Sequence, residues 1–163
     1  YVTGVEHNEI GRPVEGTANR VKMMGKRLRK LDGVELPDSV VAQESAGAEW
    51  LIVGFGSTMG PIAEAREQLA AEGIITSQAQ IRVMVPFPEK SVKELMARYK
   101  HILVVENNAT GQLAGQIKQR IGDVDKVTTF NKFNGAPFVP SEITHHVKEL
   151  MTSGNRQRLS YVR

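Results

Sequence analysis

Short, continuous apolar runs that alternate with stretches of helical periodicity constrain this chain more than any other feature. "WLIVGF" (50–55) and "HILVV" (101–105) are unbroken apolar runs. Such runs suit strands buried on both faces. "QIRVMVPFP" (80–88) and "DKVTTF" (125–130) read as two further strands, the first stopped by Pro86 and Pro88, which cannot donate to a ladder. Between and after them lie helical patterns. "PIAEAREQLAAEG" (61–73) places Ile62, Ala65 and Leu69 on one side, with Pro61 at the first helical position and Gly73 past the end. "SVKELMARYK" (91–100) opens with a Ser91–Glu94 capping-box pair. "GQLAGQIKQRIG" (111–122) stacks Leu113, Ile117 and Ile121, and "SEITHHVKELM" (141–151) begins at Ser141 as a cap.

Strand and helix in strict alternation give parallel strands with helices on both faces. The expected fold is α/β, a three-layer α/β/α sandwich around a mostly parallel open sheet. That core spans 50–152. Ahead of it, 1–49 reads as a connecting segment with a basic helix at 17–32, capped by Thr17 and ended by Gly33. Val21, Met24, Leu28 and Leu31 fall on one face of that helix. Residues 153–163 read as a tail, frayed or docked elsewhere.

Composition removes several function classes. The 163 residues suffice for one domain with a sizeable core. With no cysteine, the chain can form no disulfide, no cysteine nucleophile and no cysteine-ligated iron–sulfur cluster of its own. No apolar run reaches the length of a membrane span, and no signal peptide is visible. A cytoplasmic location and no membrane partner are expected. Net charge is +3, concentrated in "RVKMMGKRLRKL" (20–31) and "RQRLSYVR" (156–163). Clustered basic residues attract phosphates, but no aromatic interleaves the first block. A solvated face or an acidic partner is therefore expected, with no nucleic acid. The opening at Tyr1, inside a strand-end-and-turn pattern, reads as a piece of something longer.

In open α/β sheets, ligands bind beyond the carboxyl ends of the strands. Four loops meet there: "GFGSTMGP" (54–61), "PFPEK" (86–90), "ENNATG" (106–111) and "FNKFNGAPF" (130–138). Gly54 and Gly56 fit the start of a dinucleotide fingerprint, but Met59 stands where the third glycine belongs and no lysine follows. A tight strand-to-helix turn is the simpler reading. Glu106 could bind an amine or act as a base. Equally, it could join Asn107, Asn108 and Thr110 in capping the next helix, and capping is favoured. His145 and His146 point about 100° apart on a helix and share a metal poorly. His7, between Glu6 and Glu9, lacks enough convergent ligands. No metal and no catalytic residue is expected within the chain.

These motifs also carry a resemblance. "YVTGVEHNEIGRP" followed by "NRVKMMGKRLRKL", then "LIVGFGSTMGPIAEA", "IRVMVPFP", "ILVVENNATGQLAGQI" and "FNGAPFVPSEI" resemble, in order along nearly the whole chain, the carboxy-terminal domain of the 2-oxoacid:ferredoxin oxidoreductase alpha subunit. The resemblance implies a fold like the transketolase carboxy-terminal domain, with one antiparallel strand supplied near Val40 and Val41. It implies oxidative decarboxylation of a 2-oxoacid, 2-oxoglutarate above all, on thiamine diphosphate with Mg. Coenzyme A accepts the acyl group, and electrons pass through an iron–sulfur cluster to ferredoxin. The partners implied are the amino-terminal domains of the same alpha chain, a beta subunit and, in some forms, a second copy. Neither the thiamine site nor the cluster falls in this segment, so the segment is expected to be inactive alone. Three loops correspond to the family's pattern and imply a positioning or interface role. They are Glu6, His7 and Glu9; Gly54, Gly56, Ser57 and Thr58; and Glu106, Asn107, Asn108, Thr110, Gly111 and Gln112. Met59 departs from the family's basic residue after "GST". Two alternatives stay open: a free-standing anion- or nucleotide-binding module, and the carboxy-terminal domain of a transketolase-like enzyme without ferredoxin.

Overall fold

The computed structural model describes residues 4–153 and 159–162. They fall into two compact units, Tyr1–Pro37 and Asp38–Arg163.

In the first unit a tight turn precedes helix α1 (Thr17–Asp32). Asn8 Oδ1 accepts from the N–H groups of Ile10 and Arg12, at 3.2 and 3.0 Å, and shapes that turn. The helix presents Asn19, Arg20, Met23 and Arg27, one helical face, to the turn's side. Asn19 Nδ2 donates to His7 O and Val14 O, and Met23 is buried. The expected apolar stripe is not the packed face: Val21, Met24, Leu28 and Leu31 lie exposed. Gly16, not Thr17, occupies the cap position, and no side chain caps it.

The second unit is built on strands β1 (Val40–Gln43), β2 (Trp50–Gly54), β3 (Thr76–Ile81), β4 (His101–Glu106), β5 (Val127–Lys132) and β6 (Leu159–Val162). They form one sheet in the order β1-β3-β2-β4-β5-β6. All neighbours are parallel except β1, which runs antiparallel to β3 with Val40 opposite Ile81. The antiparallel strand thus sits where the resemblance implied it. The chain's end returns as β6 beside β5, with Thr129 opposite Leu159. Residues 154–158 lie outside the described residues.

Alternation along each strand builds two cores. Leu51, Val53, Ile102 and Val104 face helices α3 (Glu89–Met96) and α4 (Gln112–Ile121), against Val92, Leu95, Met96 and Ile117. Trp50, Ile52, Leu103 and Val105 face α2 (Met59–Ala71) and α5 (Pro140–Ser153), against Ile62, Leu69, Ile143 and Val147. This is the expected three-layer sandwich. β2 is buried at all five positions, as its unbroken apolar run requires.

Three expected elements move. The second strand is Thr76–Ile81, not 80–88. Its polar "TSQAQI" hides it, yet it has ladder partners on both sides. Gln78 Nε2 donates to Gln43 Oε1 at 3.1 Å, and Ser77 Oγ accepts from the Ser45 N–H at 2.9 Å. The apolar stretch Arg82 to Pro88 becomes the loop after the strand. The helix expected at 91 starts at Glu89, with Pro88 at its cap and no side-chain cap bond. Ser91 is therefore already inside it. Pro61 likewise lies in the third position of α2 rather than the first.

Candidate functional site

The strand order reverses at β2 and β4. β2 leads outward to β3, whereas β4 leads the other way to β5. A crevice of about 850 Å³ opens beyond the carboxyl ends of these two strands. Phe55–Thr58, Met84 and Val85 line it on one side, and Glu106–Asn108 with the outer face of α4 line the other. Ligands of open α/β sheets bind at such switch points.

The turn after β2 is held by one hydroxyl. Thr58 Oγ1 accepts from the Phe55 N–H at 3.1 Å and donates to Phe55 O at 3.2 Å. Gly54 is a packing position rather than part of a phosphate cradle. A Cβ built there would lie 2.5 Å from Thr58 Oγ1 and 2.6 Å from Ile62 Cδ1. Gly54→Ala is therefore expected to destabilise the fold by about 1–3 kcal/mol through overpacking. A lowered urea midpoint at unchanged slope checks this. Gly56→Ala meets no neighbour and strains only its φ of +59°.

The turn after β4 is organised around Glu106, a buried carboxylate. Its Oε2 accepts from Leu113 N–H at 2.7 Å and Asn108 Nδ2 at 2.8 Å, and its Oε1 accepts from Ala114 N–H at 2.9 Å. Asn108 Oδ1 accepts from the N–H groups of Thr110, Gly111 and Gln112 at 3.1, 2.7 and 3.3 Å. Asn131 Nδ2 fixes the loop by donating to Asn108 O at 2.9 Å. Gly111 takes φ +64°, which a glycine adopts without steric cost. Two side chains thus satisfy the orphan amides of α4's first turn. The negative end of Glu106 also fills the place where a helix start would hold an anion. Capping is the role that the geometry gives Glu106 and Asn108. Asn107 is exposed beside them, and Thr110 contributes its backbone.

The turn in the first unit is also an ion-pair centre. Glu6 receives both Arg27 Nη atoms at 2.7 Å, Arg20 Nη1 at 3.5 Å and its neighbour His7 N–H at 3.0 Å. Glu9 pairs with Lys22 at 2.9 Å. His7 bonds Asn8 O through Nδ1. Much of the basic helix therefore serves acidic groups in its own unit. The Arg27 hydrogen bonds pull the Glu6 carboxyl from 4.5 to about 2, against burial and with help from the His7 N–H and the charges of Arg27 and Arg20. A depressed carboxyl stabilises the folded turn at full strength above about 4.5, and that contribution is lost as pH falls toward 2. Protection of the Asn8 to Arg12 amides, measured against the intrinsic exchange rate at each pH, is expected to fall through that window, and Glu6→Gln to remove that fall. Exchange followed by NMR at stepped pH reads both.

The loop after β5 is locked by a buried lysine that spacing did not single out. Lys132 Nζ meets both Glu142 oxygens, at 2.6 and 2.8 Å, and Pro137 O at 2.9 Å. Glu142 Oε2 also accepts from Val139 N–H at 2.9 Å. Two other features of the crevice go beyond the loop that ends at Gln112. Gly115 is a glycine inside a helix, and Gln112, Gln116 and Gln119 recur at i, i+4 and i+7. That spacing is legible as one helical face. Among the described residues no three His, Asp or Glu gather to hold a metal.

Comparison with known proteins agrees with this architecture. The family model for pyruvate:ferredoxin oxidoreductase core domain II matches residues 48–143. The alpha subunit of 2-oxoacid:ferredoxin oxidoreductase 2 from Aeropyrum pernix is 34% identical over 160 residues, covering 96% of this chain and 25% of that protein. The solved 2-oxoglutarate:ferredoxin oxidoreductase of Magnetococcus marinus, bound to 2-oxoglutarate, coenzyme A and succinyl-CoA, aligns with TM-score 0.74 and 31% identity. That alignment covers 90% of this chain and 26% of its counterpart. A Pichia stipitis transketolase, at TM-score 0.55 and 15% identity over 74% of this chain and 19% of the other, shares the fold alone. The chain spans about a quarter of the length of the curated relatives named here. Its motifs, its sheet and these matches agree: the chain belongs to the pyruvate:ferredoxin oxidoreductase core domain II family.

Proposed function

We propose that this chain is the carboxy-terminal domain of the alpha subunit of a cytoplasmic 2-oxoacid:ferredoxin oxidoreductase acting on 2-oxoglutarate. Its role there is to position neighbouring parts of the enzyme. The observation that carries the positioning role is the state of its charged loop residues. Glu106, Lys132 and Glu6 are each buried and each engaged by several partners of their own unit. Such engagement suits groups that hold their own loops in shape.

One cofactor of such an enzyme does not fit this chain's donors. An iron–sulfur cluster held by thiolates has no ligand here, because there is no cysteine. The reading assigns the cluster to a beta subunit, and thiamine diphosphate with its Mg to the amino-terminal domains of the alpha chain and the beta subunit. Coenzyme A takes the acyl group and ferredoxin the electrons of the whole enzyme.

The test captures the native protein from source cells with an antibody to this domain. Viologen reduction that requires both 2-oxoglutarate and coenzyme A is the expected result. A captured polypeptide no longer than this chain, with no reduction on any 2-oxoacid, overturns the proposal.

A further inference from the structure

The loop after β5 is fixed at both ends and open between them. At one end Lys132 Nζ holds Pro137 O at 2.9 Å, and just beyond it Phe138 is buried against Phe130. Between these anchors Phe133, Asn134, Gly135 and Ala136 are exposed. Of the seven asparagines in the chain, only Asn134 is followed by glycine.

The carboxamide carbon of an asparagine is open to attack by the backbone nitrogen of the next residue, and three observations make that attack accessible here. No side chain shields the nitrogen, because a Cβ built on Gly135 would meet nothing within 4 Å. The Gly135 N–H donates to no acceptor among the described residues, so the fold does not tie up its proton. Asn134 Oδ1 accepts from the Ala136 N–H at 3.1 Å. That bond folds the carboxamide back over the turn. It also draws electron density away from Cγ and is placed to hold charge that develops on the oxygen. Asn108 is the contrast: its Oδ1 holds three amides, its Nδ2 donates to Glu106, and Ala109 follows it.

We infer that Asn134 is a site of spontaneous deamidation, where the chain converts its own loop into isoaspartyl and aspartyl forms. The Gly135 nitrogen loses its proton and bonds to Asn134 Cγ. The Cγ–Nδ2 bond breaks, and the amide leaves as ammonia. Water then opens the cyclic imide. Opening at the main-chain carbonyl routes the backbone through Cβ and Cγ and gives isoaspartate; opening at Cγ gives aspartate. No oxidation or reduction occurs. Either product adds a negative charge, but isoaspartate also adds a carbon to the backbone between Lys132 and Pro137. Those are the two residues whose bond closes the loop, so the isoaspartyl form loosens it.

The test ages the complete enzyme, purified with its partner subunit, at neutral and mildly alkaline pH. Trypsin releases residues 133–148 as one peptide, since no Lys or Arg lies between its ends. Mass spectrometry reads the gain from amide to acid, and electron-transfer fragmentation separates isoaspartate from aspartate. The expected result is conversion at Asn134 before Asn107 or Asn108, with isoaspartate the larger product and a rate that is first order in hydroxide. The rate in the folded enzyme is expected to lie within about tenfold of that in the urea-unfolded chain, the factor of a small change in barrier. Asn134→Gln is expected to abolish it. Hydrogen exchange across residues 138–142 is expected to quicken in the isoaspartyl enzyme. Asn134→Asp, which adds the charge without the extra carbon, is expected to keep the parent's exchange. Conversion more than about tenfold slower than in the unfolded chain, or faster at Asn107 or Asn108, overturns the site. An isoaspartyl enzyme with the parent's exchange overturns the loosened loop.

Discussion

Lys132→Ala is expected to cost about 3 kcal/mol, the largest loss from any single surface-loop or strand-end change in this domain. Lys132 is 4% exposed, at the end of β5. Removing it strands the Glu142 carboxylate and the Pro137 carbonyl without their donor. Glu142 keeps partial access to water, which holds the loss to the lower end of the range for a broken buried pair. The loop they close delivers Phe138 to the core beside Phe130, at 5.0 Å between centroids. The double change Lys132→Met with Glu142→Leu is expected to recover most of the loss, because an apolar pair of similar size removes both charges together. Urea denaturation of the three proteins measures this. Burial pushes the Glu142 carboxyl up, but the Lys132 pair and the Val139 N–H hold it below its ordinary value. Its stabilisation is thus complete above the ordinary carboxylate range and lost as the pH drops through it. Lys132→Ala is expected to flatten that part of the acid limb.

Glu106→Ala is expected to cost about 2–3 kcal/mol. The carboxylate accepts two helix-start amides and one carboxamide, and a lost cap alone costs about 0.5–2 kcal/mol. Here the amides of Leu113 and Ala114 are buried, so they also lose their access to a substitute acceptor. The loss is expected to localise. Amide exchange should rise first at Leu113 to Gln116 and only later across β4. Glu106→Gln keeps the shape and one acceptor oxygen, but turns an NH₂ toward an N–H donor. It is expected to recover less than half of the stability lost in Glu106→Ala. Asn108→Ala is expected to cost less, about 0.5–2 kcal/mol, since the three hydrogen bonds that Asn108 makes to amides of the same turn are exposed or half-buried, and those amides can turn to water.

Sequence carried most of the architecture because buried parallel strands write themselves as apolar runs. β2 and β4 were legible for that reason. β3 was not, because its partners on both sides supply hydrogen bonds that "TSQAQI" does not advertise, while the neighbouring loop mimics a strand with Val83 and Val85. α1 misled in the opposite sense: its apolar stripe was clear, but its ion pairs to Glu6 chose a different face. The role of Glu106 was half visible. Helix capping follows from the residue types after a strand, yet the reach from Glu106 to Leu113 and Ala114 depends on the left-handed Gly111 folding the loop back. The crevice was invisible as a volume, since its walls come from three separate loops. Its amide row on α4 was available from spacing alone.

The most direct test of the account is the turnover of the complete enzyme carrying Glu106→Gln. If the polar loop positions and caps, the variant melts at a lower temperature, and kcat per folded enzyme and its pH profile stay those of the parent. A fall in kcat of a hundredfold or so, the scale of a lost acid–base group, in a protein of unchanged melting temperature would contradict it and make Glu106 a reacting group.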